Sequence, residues 1–156
     1  VLDAVAGLEE YRTLLPDGSA RLKAAVDWLK SQGSEAIAAV GHGFGGLVLL
    51  KYLAEPEPQL KAAVLLSLAW PESASEETRA WLQVVRIPVL DVYAEQDHST
   101  IKATATERHL LLKDKPAYRQ LRLSATDHHY HAEDELLARR IDGWLRRVVP
   151  SGNSDE

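Results

Sequence analysis

AIAAVGHGFGGLVLLKYL, residues 36–53, joins two apolar runs through a segment in which four of six residues are glycine. The first run, Ala36 to Val40, is short and continuous, which predicts a strand buried on both faces of a parallel sheet. The second run, Phe44 to Leu53, predicts a helix that ends before Pro56. A sharp strand-to-helix turn places the amides and positive dipole of the helix above the strand ends, where α/β proteins bind their ligands.

Strands and helices alternate on both sides of this segment. Apolar runs predict strands at 62–68 and 88–93, a fourth strand is predicted at 118–123, and periodic apolar positions predict helices at 75–84, 101–112 and 133–148. Upstream, two helices are predicted within residues 1–32, separated by a turn at Pro16-Asp17-Gly18-Ser19. This order predicts the α/β class, with a mostly parallel sheet and helices on both faces. We assign residues 1–150 to a single domain and the polar residues 151–156 to a disordered tail.

The composition limits the classes of partner. The chain has 156 residues and a formal net charge of -5, which argues against nucleic acid or an anionic membrane as its main partner. It contains no cysteine, which excludes disulfides, thiolate zinc sites and cysteine nucleophiles. No apolar run reaches about 18 residues, so no membrane span is expected. Because the sequence begins at Val1, we expect it to have been processed or cut from a longer protein.

The glycine segment fits two motifs at once. Gly41, Gly43 and Gly46 match G-x-G-x-x-G, in which small residues let a dinucleotide pyrophosphate approach the backbone. Gly41 and Gly45 match G-x-S-x-G, the turn that carries a nucleophilic serine, except that Gly43 replaces the serine. A dinucleotide site prefers an acid at the end of the second strand, whereas the run 62–68 leads into apolar residues and a proline turn. This weakens the first alternative without removing it.

Two downstream residues favour the second motif. Asp97 follows the third predicted strand and His128 follows the fourth, in the order nucleophile, acid, histidine that α/β hydrolases use. The chain therefore resembles the C-terminal half of the α/β-hydrolase superfamily, and in particular a bacterial branch of exported proteins classed as a domain of unknown function. The resemblance rests on Gly41 to Gly46, Pro88 to Tyr93 running into Asp97, Tyr118 to Gln120, Asp127-His128, and Arg140 to Leu145.

The resemblance implies roles for individual residues. Asp97 and His128 correspond to the acid and base, and the amide of Phe44 corresponds to an oxyanion-hole donor. Gly43 stands at the nucleophile position of the elbow but has no atom able to attack a carbonyl, so an acyl-enzyme route is closed there. His42 lies in the same turn, and we expect it beside the ligand together with Gly43 and Phe44. The resemblance also implies that the protein is exported, to the periplasm or beyond.

The resemblance further implies that part of the sheet is missing. Superfamily members usually have several strands before the one at Ala36, whereas only helix is predicted before it here. We therefore expect an uncovered sheet edge along Ala36 to Val40. A missing N-terminal half, or a second copy of the chain in a homo-oligomer, is expected to cover this edge.

Three functions are compatible with these residues. The favoured one is a non-catalytic binding or structural module, in which the crevice above Gly43 holds a small anion or carbonyl ligand, or nothing. The second is an esterase in which His128, oriented by Asp97, activates water. The third is a dinucleotide-binding domain. Each of these residues also has an interpretation without a function. The glycines would serve tight strand-to-helix packing, Asp97 would cap the following helix, and His128 would lie at the surface.

The run Asp127-His128-His129-Tyr130-His131 suggests a metal site. Neighbouring residues on an extended chain point to opposite sides, so at most His129 and His131 would share one ion. We expect neither a metal nor a cofactor.

Overall fold

A computed structural model describes residues 12–149 of the chain. They form four strands, five α-helices and two short 3₁₀ helices. In chain order these are a 3₁₀ helix Arg12–Leu14, α1 Leu15–Ser31, β1 Ala38–His42, α2 Phe44–Leu53, β2 Ala62–Leu66, a second 3₁₀ helix Glu72–Ala74, α3 Ser75–Val84, β3 Val89–Gln96, α4 Ser99–Leu112, β4 Arg119–Asp127 and α5 Asp134–Val148. No helix in this range is both long and apolar enough to cross a membrane.

The four strands form one sheet in the order β1-β2-β3-β4, and every neighbouring pair is parallel. Each connection contains at least one helix, as parallel strands require. The predicted α/β class and parallel sheet are therefore confirmed. The alternation of strand and helix signals was sufficient for this prediction, and the central strand β2 reads as the continuous apolar run of a strand buried on both faces.

Helices cover both faces of the sheet. Leu65 of β2 belongs to the larger core, which is formed with α1, α2, α3 and α4. Its neighbour Val64 points to the opposite face and joins a smaller core with Trp144 of α5, which is only 3% exposed. All five residues of β2 are buried, which makes it the most enclosed strand of the described sheet.

The turn predicted at Pro16-Asp17-Gly18-Ser19 is wrong, because these residues form the first turns of α1. Proline is compatible with the first helical positions, where its missing N–H has no helical partner to lose. Gly18 serves packing here, since a Cβ at this position would lie 2.9 Å from Cγ2 of Val48 in α2. The helix predicted before this turn lies outside the described residues, as does the tail at 151–156.

The first strand, β1, differs from its prediction in its residue range and in how far it is buried. It spans Ala38–His42 rather than Ala36 to Val40, and it is not buried on both faces, since Val40 is 54% exposed. The reason is its position in the sheet. Within the described residues β1 pairs only with β2, and α5 packs over residues of the other strands such as Val92 and Leu123. An uncovered edge was predicted for this strand, and what covers it stays a prediction.

An ion pair lies in the interior between β3 and α4. Asp91 and Arg108 have fully buried side chains, and Arg108 Nε donates to Asp91 Oδ2 at 2.9 Å. Gln120 donates a second hydrogen bond of 2.8 Å to the same carboxylate oxygen. Arg108 also donates to the carbonyl oxygen of Ile101 at 2.9 Å, which ties the first turn of α4 to the sheet. Asp91 sits within an apolar run, and no sequence pattern indicated its partner.

Candidate functional site

Four residues follow the carboxyl ends of the four strands. Gly43 follows β1, Ser67 follows β2, Asp97 follows β3 and His128 follows β4. Because parallel strands end at the same edge of a sheet, these residues lie together at one edge, which is the usual ligand edge of α/β proteins. Three of the four were singled out from the sequence, and Ser67 was not.

The turn at Gly43 has a backbone conformation that favours glycine. Gly43 has φ +54° and ψ −118°, and Phe44 begins α2 directly after it. The Gly43 amide donates to the carbonyl oxygen of Leu66 at 2.8 Å, and its carbonyl oxygen accepts from Gly46 at 3.1 Å and Ala69 at 3.2 Å. These hydrogen bonds fix the turn to the end of β2.

Gly41 is required by close packing within the same turn. A Cβ built on Gly41 would lie 2.5 Å from the carbonyl oxygen of Gly45, and backbone cannot move aside as a flexible side chain can. We expect Gly41→Ala to lower the free energy of unfolding by about 1–3 kcal/mol, as overpacking does. Urea denaturation measures this loss.

Gly45 provides the matched control for Gly41. A Cβ at Gly45 would meet nothing within 4 Å, and the residue lies inside α2. Gly45→Ala should therefore be neutral or stabilising by up to about 1 kcal/mol, because alanine has the higher helix propensity. Equal losses in the two variants would contradict this account of the turn.

Asp97 and His128 form a hydrogen-bonded pair. His128 Nδ1 lies 2.8 Å from Asp97 Oδ1, and the aspartate side chain is fully buried while the histidine side chain is 19% exposed. Asp97 accepts three further hydrogen bonds, from Ser67 Oγ at 2.5 Å, from the amide of Ala94 at 3.0 Å and from the amide of His98 at 2.9 Å. Burial by itself raises the pKa of Asp97, but the hydrogen bonds from His128 and from these three donors together lower it to about 2. The ionised carboxylate therefore keeps a proton on Nδ1 of His128.

The low pKa of Asp97 predicts an acid-dependent stability. The pKa of this carboxyl is about 2 in the folded protein against 3.8 for an ordinary aspartate, so folding favours the ionised form. The resulting stabilisation, about 2 kcal/mol, is complete above about pH 4 and is lost as the pH falls towards 2. Ser67→Ala removes one donor to the carboxylate and should therefore raise the Asp97 pKa above about 2. Carboxyl ¹³C NMR titration measures this, and an unchanged pKa in the variant would contradict the assigned network.

The ring of His128 faces the turn at Gly43. A Cβ built on Gly43 would lie 3.7 Å from His128 Nε2 and 3.8 Å from Cε1. The ring thus stands on the side of the glycine from which a dinucleotide pyrophosphate would approach the backbone, and this geometry does not favour the dinucleotide interpretation of the glycines. His42 holds the same segment, since its Nε2 lies 2.8 Å from the carbonyl oxygen of His128.

Other histidine rings surround His128. The ring centroids of His42 and His98 lie 4.6 Å and 4.3 Å from its own, and that of His129 lies 5.2 Å away. His131 is turned to Asp127, with Nδ1 3.0 Å from Oδ2. Despite this density of imidazoles, the described residues contain no group of three or more histidine, aspartate or glutamate side chains arranged to hold a metal ion.

Ser67 and Tyr130 form a buried hydrogen-bond network with Asp97. Ser67 is fully buried with φ +45°, and its hydroxyl lies 2.5 Å from Asp97 Oδ2 and 2.8 Å from the Tyr130 hydroxyl. Tyr130 also lies 3.1 Å from the carbonyl oxygen of Val92, and burial raises its pKa above the ordinary value. The sequence contained no signal for this network, because it joins residues far apart in the chain through one strained serine.

A cavity of about 370 Å³ opens beside His42, on the α5 face of the sheet. Its walls are formed largely by apolar residues, with His129 and Asp134 at the polar side; the apolar ones include Leu66, Leu137 and Ile141. It arises because α5 leaves β1 uncovered. The cavity therefore adjoins the histidine cluster rather than lying directly above Gly43.

Several solved structures share this fold. Est1E from Butyrivibrio proteoclasticus has a TM-score of 0.70 at 16% identity, covering 85% of this chain and 70% of that one. A predicted CIB-like hydrolase from Thermoplasma acidophilum has a TM-score of 0.66 at 18% identity, covering 85% of this chain and 60% of that one. Dienelactone hydrolase from Anabaena variabilis has a TM-score of 0.68 at 19% identity, covering 83% of this chain and 59% of that one. The chain thus spans about 60% of the length of two of these hydrolases.

These similarities establish an α/β-hydrolase-like fold. A comparison with curated proteins found no match. The family model described as "Protein of unknown function (DUF3530)" matches residues 12–147, which is most of the chain. The chain therefore belongs to the DUF3530 family and has an α/β-hydrolase-like fold.

Proposed function

We propose that the chain is a ligand-binding module on a hydrolase-like scaffold that does not form an acyl-enzyme. One observation carries the proposal: His128, held by Asp97, faces a glycine at the position where the resemblance places a nucleophilic serine. In this proposal the turn at Gly43 is a nucleophile elbow that has lost its nucleophile. The acid and the base remain in place and bind a ligand instead of activating a serine.

The serine that the structure describes beside Asp97 is not placed to act as a substitute nucleophile. The chain has no cysteine. Ser67 is the hydroxyl bound to Asp97, and it is fully buried with its hydrogen bonds directed at Asp97 and Tyr130. The Ser67 hydroxyl donates its hydrogen bond to a carboxylate, and its Oγ is not accessible to solvent. It therefore cannot reach a substrate carbonyl in this conformation.

The proposed ligand is a small carboxylate or carbonyl compound. With its Nδ1 proton directed at Asp97, His128 presents Nε2 to the gap above Gly43, where the protonated ring can donate to an anion. The N-terminus of α2 begins at Phe44 and adds a positive dipole end beside the same gap. The apolar cavity next to His42 would receive an alkyl or acyl part of the ligand.

Titration with acetate and butyrate tests the proposal. Saturable shifts are expected in the amide NMR signals of Gly43 and Phe44 and in the ring signals of His128. His128→Ala should abolish binding, and His131→Ala, whose exposed ring pairs with Asp127, should not. Absence of saturable shifts in the wild-type protein would overturn the proposal.

Hydrolysis by activated water is the second candidate. The observation that favours it is the geometry of His128, whose Nδ1 is bound to a carboxylate and whose Nε2 faces a gap, as in a general base. Turnover of p-nitrophenyl acetate that is lost in both His128→Ala and Asp97→Asn would establish this activity and overturn the purely binding role. Turnover that persists in His128→Ala would exclude the dyad as its source.

A further inference from the structure

A second concave site lies at the other edge of the sheet, between β4 and α5. The cavity measures about 260 Å³ and four arginine side chains line it, with Gly143 and Trp144 between them: Arg119, Arg139, Arg140 and Arg147. It lies at the opposite end of β4 from His128, since Arg119 begins the strand and Asp127 ends it. At about 3.3 Å per residue, the strand separates the two sites by roughly 25 Å.

The convergence of these arginines follows from the local structure. Arg119 is paired in register with Leu90, so its side chain lies on the sheet face that α5 covers. On α5, Arg140, Gly143 and Arg147 are spaced three and four residues apart and share one side of the helix. Apart from the neighbouring residues and backbone of α5 itself, a Cβ at Gly143 would meet nothing within 4 Å, so the missing side chain leaves the cavity open.

The charge of this cavity is not compensated by the residues that the structure describes. Arg119, Arg140 and Arg147 form no ion pair among them, and Arg139 has a single exposed contact of 3.5 Å with Glu135. Other arginines of the same elements are paired: Arg146 with Asp142 at 2.8 Å, and Arg122 with Glu95 at 2.6 Å. A concentration of unpaired cations in a chain of net charge -5 indicates a site for an anion.

We propose that this cavity binds a phosphate monoester. Guanidinium groups donate paired hydrogen bonds that match phosphate oxygens, and several of them together neutralise a doubly charged group. A second cavity of about 490 Å³ shares Arg119, Trp144 and Arg147 with the first and extends to Tyr118 and Val148. The phosphate would lie among the arginines, and the esterified group would extend towards this less charged neighbour.

Titration of the protein with inorganic phosphate, glycerol 3-phosphate and phenyl phosphate tests the proposal, using arginine Nε–H NMR signals as the readout. We expect saturable shifts at Arg119 and Arg147, and at least about tenfold weaker binding in Arg119→Gln, as expected for loss of one charge-assisted hydrogen bond. Gly143→Leu keeps all four charges but fills the cavity, and it should weaken binding similarly. Vesicles of phosphatidylcholine with phosphatidic acid distinguish a lipid phosphate from a free one.

Two variants serve as matched controls. Arg146→Gln removes a paired arginine from the same helix, and Arg122→Gln removes one from the same strand. Neither residue lines the cavity, so each should change the affinity less than about twofold, the level expected from general screening alone. The proposal is overturned if no phosphate compound or vesicle binds saturably, or if the control variants weaken binding as much as Arg119→Gln does.

Discussion

Gly43→Ser is expected to convert the chain into a protein that reacts with a fluorophosphonate probe and hydrolyses p-nitrophenyl acetate. The serine Cβ would lie 3.7 Å from His128 Nε2, which brings its Oγ within hydrogen-bonding reach of the ring. Activation by a positioned histidine raises rates by about 10²- to 10⁴-fold, so turnover should exceed that of wild type by about 10²-fold or more. The change costs about 1–3 kcal/mol of stability, because a non-glycine residue then adopts φ +54°.

Two further variants separate chemistry from strain. Gly43→Ala introduces the same backbone strain without a hydroxyl and should remain unreactive. Gly43→Ser combined with His128→Ala keeps the hydroxyl but removes the base, and probe labelling should fall to the wild-type level. A folded Gly43→Ser variant that neither labels nor hydrolyses would show that Asp97 and His128 are not arranged as a catalytic pair.

Arg108→Ala should cause a large loss of stability. Removing the arginine leaves the Asp91 carboxylate fully buried and without its cation, and breaking such a pair costs about 3–5 kcal/mol. The hydrogen bond from Arg108 to the carbonyl oxygen of Ile101 is lost at the same time. Urea denaturation at neutral pH measures the change.

The controls for Arg108 are an exposed pair and a double replacement. Arg79→Ala removes a partner of Glu107 in which both side chains are more than a third exposed, so its effect should stay below about 1 kcal/mol. Asp91→Leu combined with Arg108→Met removes both buried charges and should recover most of the loss. A loss of less than about 1 kcal/mol in Arg108→Ala would contradict the structural role of the pair.

The fold was predictable because its signal is local. The inner strands β2 and β3 appear as largely apolar runs, and the glycines at 41–46 mark the turn from β1 to α2. The strand β1 was misplaced because burial depends on its neighbours in the sheet, which no local pattern contains. The turn predicted at residues 16–19 was wrong for a similar reason. Gly18 is needed for close packing of α1 against Val48 of α2, and this contact between two helices leaves no local pattern.

The candidate site was predictable only in outline. Asp97 and His128 were identified by their order along the chain, and the structure brings both to Gly43. Ser67 and the cavity arginines were not identified, because their significance arises from contacts across the sheet and between β4 and α5. The roles of these residues in binding or catalysis are testable predictions.

Intact-mass spectrometry of the wild-type protein after incubation with a fluorophosphonate and with p-nitrophenyl acetate tests the central claim most directly. We predict an unchanged mass with both reagents, because Gly43 supplies no nucleophile to His128. A covalent adduct that maps to a serine or threonine and disappears in His128→Ala would contradict the claim that the chain has lost the acyl-enzyme route.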